Sequence, residues 1–305
     1  VIKQMEKIDI VVLYVDSTDK EWLEGYNKHL PDTTDEDIGG KKRFRPNPHF
    51  KYWFRGIEKY APWINQVYLV VQSISQVPKW INQDKVKIIL HKDIIPEEHL
   101  PTYNGICIPQ FVHNIPGLSE KFLLADDDCY INGYIEPDDL FGKGTVKTSF
   151  DINQIGEMAV WKQIFINSHA LVNKQKAKTL QRVGLMMTPI HQIRPHLKSK
   201  WLEAFEKYED EIINSLSIHR EYKNISVQFQ DFYLRENGIV EERKYNCIYF
   251  SSDTPSNVVG TVIKMPNNYK LMCINDTKDD EDENRAEEIN QYFKSQLPNK
   301  SKYEN

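Results

Sequence analysis

Over the first 130 positions, apolar residues gather in short runs separated by polar stretches of helical period. Ile8 to Tyr14 (IDIVVLY), residues 66–71 (QVYLVV), Val86 to Leu90 (VKIIL) and Phe122 to Ala125 are rich in β-branched or bulky residues, and each reads as a strand. Between them, Lys20 to Asn27, Tyr52 to Tyr60 and Ile106 to Asn114 read as helices, the second stopped near Ala61-Pro62. Strands alternating with helices predict an α/β fold with a parallel or mixed sheet. The apolar run before Asp126 has the character of a buried strand covered on both faces.

Beyond residue 135 the alternation fades. Residues 136–144 read as a loop and Gly156 to Leu171 as a helix. The stretch 172–200 is basic (Lys174, Lys176, Lys178, Arg182, Arg194, Lys198, Lys200). Trp201, Phe205, Tyr208, Ile212 and Leu216 recur at three- and four-residue steps, which predicts one amphipathic helix with an aromatic core face. Ser226 to Glu236 and Arg285 to Leu297 read as further helices, the last preceded by an acidic run over 275–284. This pattern divides the chain into an α/β part of nucleotide-binding type (1–150), a mainly helical insertion (151–240) and a return to the α/β core with a C-terminal helix (241–305).

Composition adds exclusions. With 305 residues, 40% hydrophobic and 27% charged, the chain has the balance of a soluble globular enzyme with one large core or a core plus a subdomain. A formal charge of -5 argues against general nucleic-acid binding. The four cysteines, Cys107, Cys129, Cys247 and Cys273, lie far apart without a C-x-x-C pair, so a reducing compartment is expected, with neither a disulfide framework nor a zinc site. No apolar run is long enough to span a bilayer, and the opening residues lead to the expectation that there is no signal peptide. The first residue is Val, so a trimmed catalytic part is expected, with membrane attachment through another segment left open, as is the oligomeric state.

The strongest chemical signal is Asp126-Asp127-Asp128, at the end of the fourth strand. Adjacent carboxylates repel, and desolvation adds to the cost; a divalent cation would offset both. Alternation puts Asp126 and Asp128 on one side and Asp127 on the other. That is a D-x-D arrangement with hard oxygen donors for Mg²⁺ or Mn²⁺ and a phosphate ligand; an acidic solvated turn or a helix start is the other reading. Ligands in open α/β sheets bind beyond the carboxyl ends of strands, where Asp16 and Asp19 also stand, with helix capping as the alternative for Asp16. The loop 31–49 switches from acidic (Asp32, Asp35, Glu36, Asp37) to basic (Lys41, Lys42, Arg43, Arg45), either as solvated charge or as a mobile lid that brings guanidinium groups to a phosphate. Neither a dinucleotide fingerprint nor a P-loop is present.

The segments IDIVVLYVDSTDKEW, KRFRPNPHFKYWFRGIEKYAPWINQVYLVV, ILHKDIIPEEHLPTYN, HNIPGLSEKFLLADDDCYI, PIHQIRPHLKSKW, SIHREYKNIS, MCINDT and LPNKSKYE, in this order, resemble the conserved regions of the Stealth family of sugar-phosphate transferases. Two places depart from the family pattern: Ser17-Thr18 stands where a glycine is expected, and the His-x-Pro of the third region is stretched between His191 and Pro195.

The resemblance implies a nucleotide-sugar-transferase-like, GT-A-like and Rossmann-related mixed sheet flanked by helices, with a helical insertion. It implies transfer of hexose-1-phosphate, N-acetylhexosamine-1-phosphate foremost, from a UDP-sugar bound by residues 1–150 to a hydroxyl of a growing or lipid-linked glycan on the side of the 151–240 insertion, with UMP released. The cysteine pattern and the absent signal sequence favour a cytoplasmic, bacterial setting, with the inner face of the cell membrane as the alternative. Asp127 and Asp128, with Asn275 or Asp276, are then the candidate ligands of Mg²⁺ or Mn²⁺, with Asp126 behind them. Arg43, Arg45, Arg55 and Arg220 are candidate phosphate clamps, and His219 a further phosphate donor. Asp16 and Asp19 stand near ribose, metal or acceptor. His191 and His91 compete as general base: Asp93 would orient the ring of His91, whereas basic neighbours would keep His191 neutral. Two rival activities remain, a metal-dependent glycosyltransferase releasing UDP and a non-catalytic carbohydrate-binding protein.

Overall fold

The computed structural model describes residues 6–243, 247–251, 254, 269–278 and 283–305; residues 279–282 of the acidic run lie outside these. Four parallel strands lead the chain: β1 (Ile8–Leu13), β2 (Val67–Val71), β3 (Val86–Leu90) and β4 (Lys121–Asp126). After a two-residue turn come β5 (Cys129–Ile131), β6 (Val146–Thr148) and an antiparallel hairpin of β7 (Phe150–Gln154) and β8 (Leu185–Pro189). Then follow β9 (Arg194–Leu197), β10 (Val240–Glu242), β11 (Cys247–Phe250) and β12 (Leu271–Ile274). The main sheet has the order β3-β2-β1-β4-β9, with β9 antiparallel to β4. It is the mixed α/β sheet flanked by helices that the alternation predicts.

Side-chain alternation separates two cores. Ile8, Ile10 and Val12 of β1 join Leu123 and Ala125 of β4 on one face, under the helix Phe50–Tyr60 and the helix Glu283–Gln296. Val11, Phe122 and Leu124 point to the other face, against Phe111, Trp201, Phe205, Ile212 and Phe229. Both faces are dry, which is why these strands read as continuous apolar runs.

Three helix readings change in detail. Residues Ile108–Asn114 wind as a 3₁₀ helix, which brings Ile108 and Phe111, three apart, onto one buried face. The aromatic helix is two, Lys198–Lys207 and Glu209–Ser215, broken at Tyr208. The basic stretch 172–200 holds the helix Lys174–Arg182 and also β8 and β9.

The middle segment therefore contributes a strand to the main sheet, and the last segment pairs β12 with β5 and β10 with β6. The three sequence segments interlock within these sheets. Among the described residues, no helix is long and apolar enough to cross a membrane.

Candidate active site

Strands β1 and β4 run side by side in register, with Leu13 opposite Asp126, so the segment from Tyr14 and the aspartate triplet emerge together at the carboxyl edge of the sheet. The chain then turns into β5, which pairs with β12 so that Cys129 faces Cys273. The backbone N–H of Ile274 donates to the Asp128 carbonyl (2.9 Å), which pins β12 beneath the triplet.

The triplet divides as strand alternation requires. His191, in the turn between β8 and β9, presents Nε2 to Asp128 Oδ2 at 3.5 Å and Nδ1 to Asp126 Oδ2 at 3.9 Å. Asp127 faces away; its carbonyl accepts from Asn47 Nδ2 (2.6 Å), and Asn47 Nδ2 also donates to the Tyr130 hydroxyl (2.7 Å). Burial, with Asp128 and Asp126 beside it, raises the Asp127 pKa well above the usual carboxylate range.

The surroundings of His191 are acidic rather than basic, which corrects the expectation that neighbouring cations keep it neutral. Burial alone would lower its pKa. The Cys273 sulfur and the Asp128 carboxylate together outweigh burial and hold the pKa well above the usual value. The basic residues of the stretch 172–200 belong to other turns and helices.

Across from the carboxylates stand two guanidinium groups. Arg43 ends the short 3₁₀ turn Lys41–Arg43 and lies in the field of Asp37, Asp126 and Asp128. Arg220 is opposed first by burial and then by Arg43, while Asp37, Asp35 and Asp126 favour its charge. Its Nε is buried without a hydrogen-bond partner among the described residues. Asn104 sets the turn that carries it, donating from Nδ2 to the His219 carbonyl (2.9 Å) and to Asn224 Oδ1 (3.0 Å). Two half-buried like charges in the field of carboxylates form an arrangement suited to a polyanion.

The remaining candidates fall elsewhere or serve locally. Asp19 is the cap of the helix Lys20–Asn27, accepting from the Trp22 N–H (2.8 Å), so capping belongs to Asp19 rather than Asp16. Asp16 closes a turn by accepting from the Thr18 N–H (2.8 Å), and its charge bears on Tyr14 at the mouth. Arg45 donates to Asp276 Oδ2 (2.6 Å), and Asn275 Nδ2 donates to the Tyr249 hydroxyl (3.0 Å). The Asn275 and Asp276 side chains are thus held by Tyr249 and Arg45, while Asp126 and Asp128 flank the His191 ring.

Three sequence candidates are not at this centre. Arg55 forks onto both Glu304 oxygens (2.7 Å each) and donates to the Leu297 carbonyl (2.9 Å), so its planar donors tie the C-terminal segment down. His219 donates from Nε2 to the His29 carbonyl and stacks on Tyr103, holding the Arg220 turn rather than a phosphate. His91 is buried at the end of β3, three strand spacings from β4, or about 14 Å. Asp93 does not orient it, because its carboxylate accepts from the Leu90 N–H (2.9 Å). The loop 31–49 is also tied: Phe44 packs with Trp22, Tyr26 and Tyr103, and Lys42 pairs with Asp37 (3.0 Å).

A family model, Stealth protein CR2 (conserved region 2), matches residues 43–149. The exopolysaccharide phosphotransferase cps2G of Lactiplantibacillus plantarum is 31% identical, in an alignment covering 97% of this chain and 96% of the relative. The chain belongs to the Stealth family. The capsular polysaccharide phosphotransferase WcwK of Streptococcus pneumoniae is likewise 31% identical to this Stealth protein, over 98% of the chain and 100% of the relative. Among solved structures, the galactosyltransferase LgtC in complex with donor and acceptor sugar analogs aligns over 96% of the chain and 98% of its own length, at 12% identity and a TM-score of 0.44.

Asn47, Asn104, Cys129 and Cys273 escaped the sequence reading of this Stealth chain. Each sits inside a segment that carries the family resemblance, but carboxamides and thiols there have no charge to mark them. Their geometry appears only when β5 and β12 pair and when the 101–104 turn meets the 217–224 turn.

Proposed function

We propose that this protein transfers a sugar-1-phosphate, N-acetylhexosamine-1-phosphate first among them, from a UDP-sugar to a glycan hydroxyl in polysaccharide synthesis on the cytoplasmic side. The observation that carries the reading is the pairing of Arg43 and Arg220, both held in the field of Asp126 at the carboxyl edge of the sheet. A diphosphate placed between them would give each guanidinium an acceptor and neutralise two desolvated cations.

The attacked atom in such a transfer is the β-phosphorus, and the acceptor oxygen must lie in line with the departing UMP. Arg43 and Arg220 would hold phosphoryl oxygens and fix that line. His191 would take the acceptor proton, a role that needs its neutral form. Oxygen donors for Mg²⁺ or Mn²⁺ are Asp126 and Asp128, whose carboxylates both border the same space around His191. A divalent cation there would screen the diphosphate and offset the carboxylates that keep His191 protonated.

The test is to incubate the protein with a panel of UDP-sugars, Mg²⁺ or Mn²⁺ and short glycan acceptors, and to read both products by mass. UMP together with a phosphodiester-linked product is expected. UDP with a plain glycoside would overturn phosphoryl transfer in favour of glycosyl transfer, and absence of turnover across the panel would count against catalysis.

A further inference from the structure

Beside the carboxylate mouth lies a donor set of different chemistry. The Cys129 Sγ is 3.3 Å from Asp128 Oδ1, and the Cys273 Sγ is 3.6 Å from Asp128 Oδ2. His191 Nε2 lies 3.5 Å from that same Oδ2. One ligand atom from each of Asp128, Cys129, His191 and Cys273 falls within 4.8 Å of all the others. In a tetrahedral zinc site, bond lengths of about 2.0–2.3 Å place the ligand atoms roughly 3.3–3.8 Å apart. Closing the cluster onto an ion therefore asks only for small side-chain movements.

The scaffold favours this closure. Cys129 and Cys273 are directly opposed on the antiparallel pair β5–β12, and both are buried. The carbonyl of Asp128 is itself fixed by the Ile274 N–H. Two thiols and an imidazole are soft or borderline donors, and they suit Zn²⁺ far better than Mg²⁺. The proposed transfer reaction has no use for either thiol.

We propose that Asp128, Cys129, His191 and Cys273 form a Zn²⁺ site that excludes the Mg²⁺- or Mn²⁺-supported reaction. Zinc entry releases the two thiol protons and the imidazolium proton of His191 to solvent, and takes Asp128 and His191 into its own coordination. Zinc binding stands on the four donors alone, whereas its inhibitory consequence rests on the function proposed above. Free Zn²⁺ then sets how many copies of the chain are competent.

The binding test uses the whole reduced chain, stripped of metal and given Zn²⁺ without substrate. Uptake of one equivalent is expected, with zinc X-ray absorption showing two sulfur and two lighter ligands. A shell of only oxygen and nitrogen, or no uptake at micromolar Zn²⁺, overturns the site without recourse to any variant. In C129S/C273S the affinity should fall by more than about a hundredfold, exceeding the loss typical of an outer hydrogen-bond partner. For the consequence, saturating Zn²⁺ should cut Mg²⁺-supported turnover at least about tenfold in the unaltered chain. It should leave C129S/C273S, whose turnover also shows that it is folded, unaffected. Equal inhibition of both proteins would overturn the exclusion. Because the absorption spectrum is read without a UDP-sugar, failure of the transferase reading leaves the binding result intact.

Discussion

The two ends of the central sheet treat carboxylates in opposite ways. At the amino end Asp9 is wholly buried, and each oxygen has a neutral donor: Asn65 Nδ2 at 2.7 Å and the Ser119 N–H at 2.8 Å. At the carboxyl end Asp126 and Asp128 flank one imidazole with Asp127 between them in sequence, and the Asp126 side chain remains 46% exposed. The first arrangement is complete in itself. The second carries excess charge that the fold tolerates, with two desolvated arginines across from it. A carboxylate whose partners are all supplied by the chain is holding the fold together; one whose charge exceeds its local partners is kept for a ligand.

The largest expected effect comes from exchanging the two ends in kind. Asp128→Asn should lower turnover by about a thousandfold, the scale seen when a preorganised electrostatic group is removed, with the melting temperature unchanged or raised because repulsion is relieved. Asp9→Asn should do the reverse: about 1–3 kcal/mol lost in urea unfolding as an amide meets donors, with turnover of the folded fraction preserved. Activity of the Asp128 variant near that of the original chain, or full turnover in excess chelator, would erase the distinction.

A smaller effect separates the histidines. His191→Ala should cost about a hundredfold in turnover, with UDP-sugar affinity nearly intact by calorimetry; His91→Asn should leave turnover alone. Loss of donor affinity with saturated turnover preserved in the His191 variant would move that residue from proton transfer to phosphate binding. The arginines follow the same logic. Arg43→Ala and Arg220→Ala should each weaken donor use by about tenfold, roughly 1.4 kcal/mol in kcat/KM. Arg55→Ala should instead destabilise the fold by up to about 3 kcal/mol by removing the charged partner of Glu304 and leaving it only the Ser301 donors. A donor-binding defect in the Arg55 variant would return it to the clamp.

The parallel strands and their helices were legible because both faces of the sheet are dry, so sequence hydrophobicity and structure coincide. β9 was not, because it carries Arg194 and His196 into the interior. Arg194 is tolerated there by Asp231, 2.7 Å away and contributed by a helix more than thirty residues on. The same limit governs the mouth. The triplet announced itself by charge, yet its partners arrive from the turn before β9, from the turn at 217–224 and from β12. Charge sign alone misplaced Arg55 and misjudged the field at His191, because a guanidinium or imidazole is defined by what the fold brings against it. Asp93, two residues from His91, lies near in sequence but bonds its own helix start.

The last and smallest effect on activity concerns His91, whose consequence should appear in stability. Burial lowers its pKa from the usual 6.5 or so to about 4. A group whose folded pKa is depressed binds fewer protons in the folded chain than in the unfolded chain between those two values. Stability is therefore complete above about pH 6.5 and declines as pH falls toward about 4, by an amount approaching about 3 kcal/mol for this one group. His49, His113 and His169 are likewise lowered to about 4 by burial and add to the same slope. Asp127 acts in the opposite sense, since its raised pKa relieves an unfavourable charge on acidification. The contribution of His91 must accordingly be read by difference. Urea unfolding of the original chain and of His91→Asn at pH 7.5 and pH 5 should show the variant losing less stability between the two pH values. Identical losses would mean that His91 takes up its proton in the folded chain, at odds with its sealed position at the end of β3.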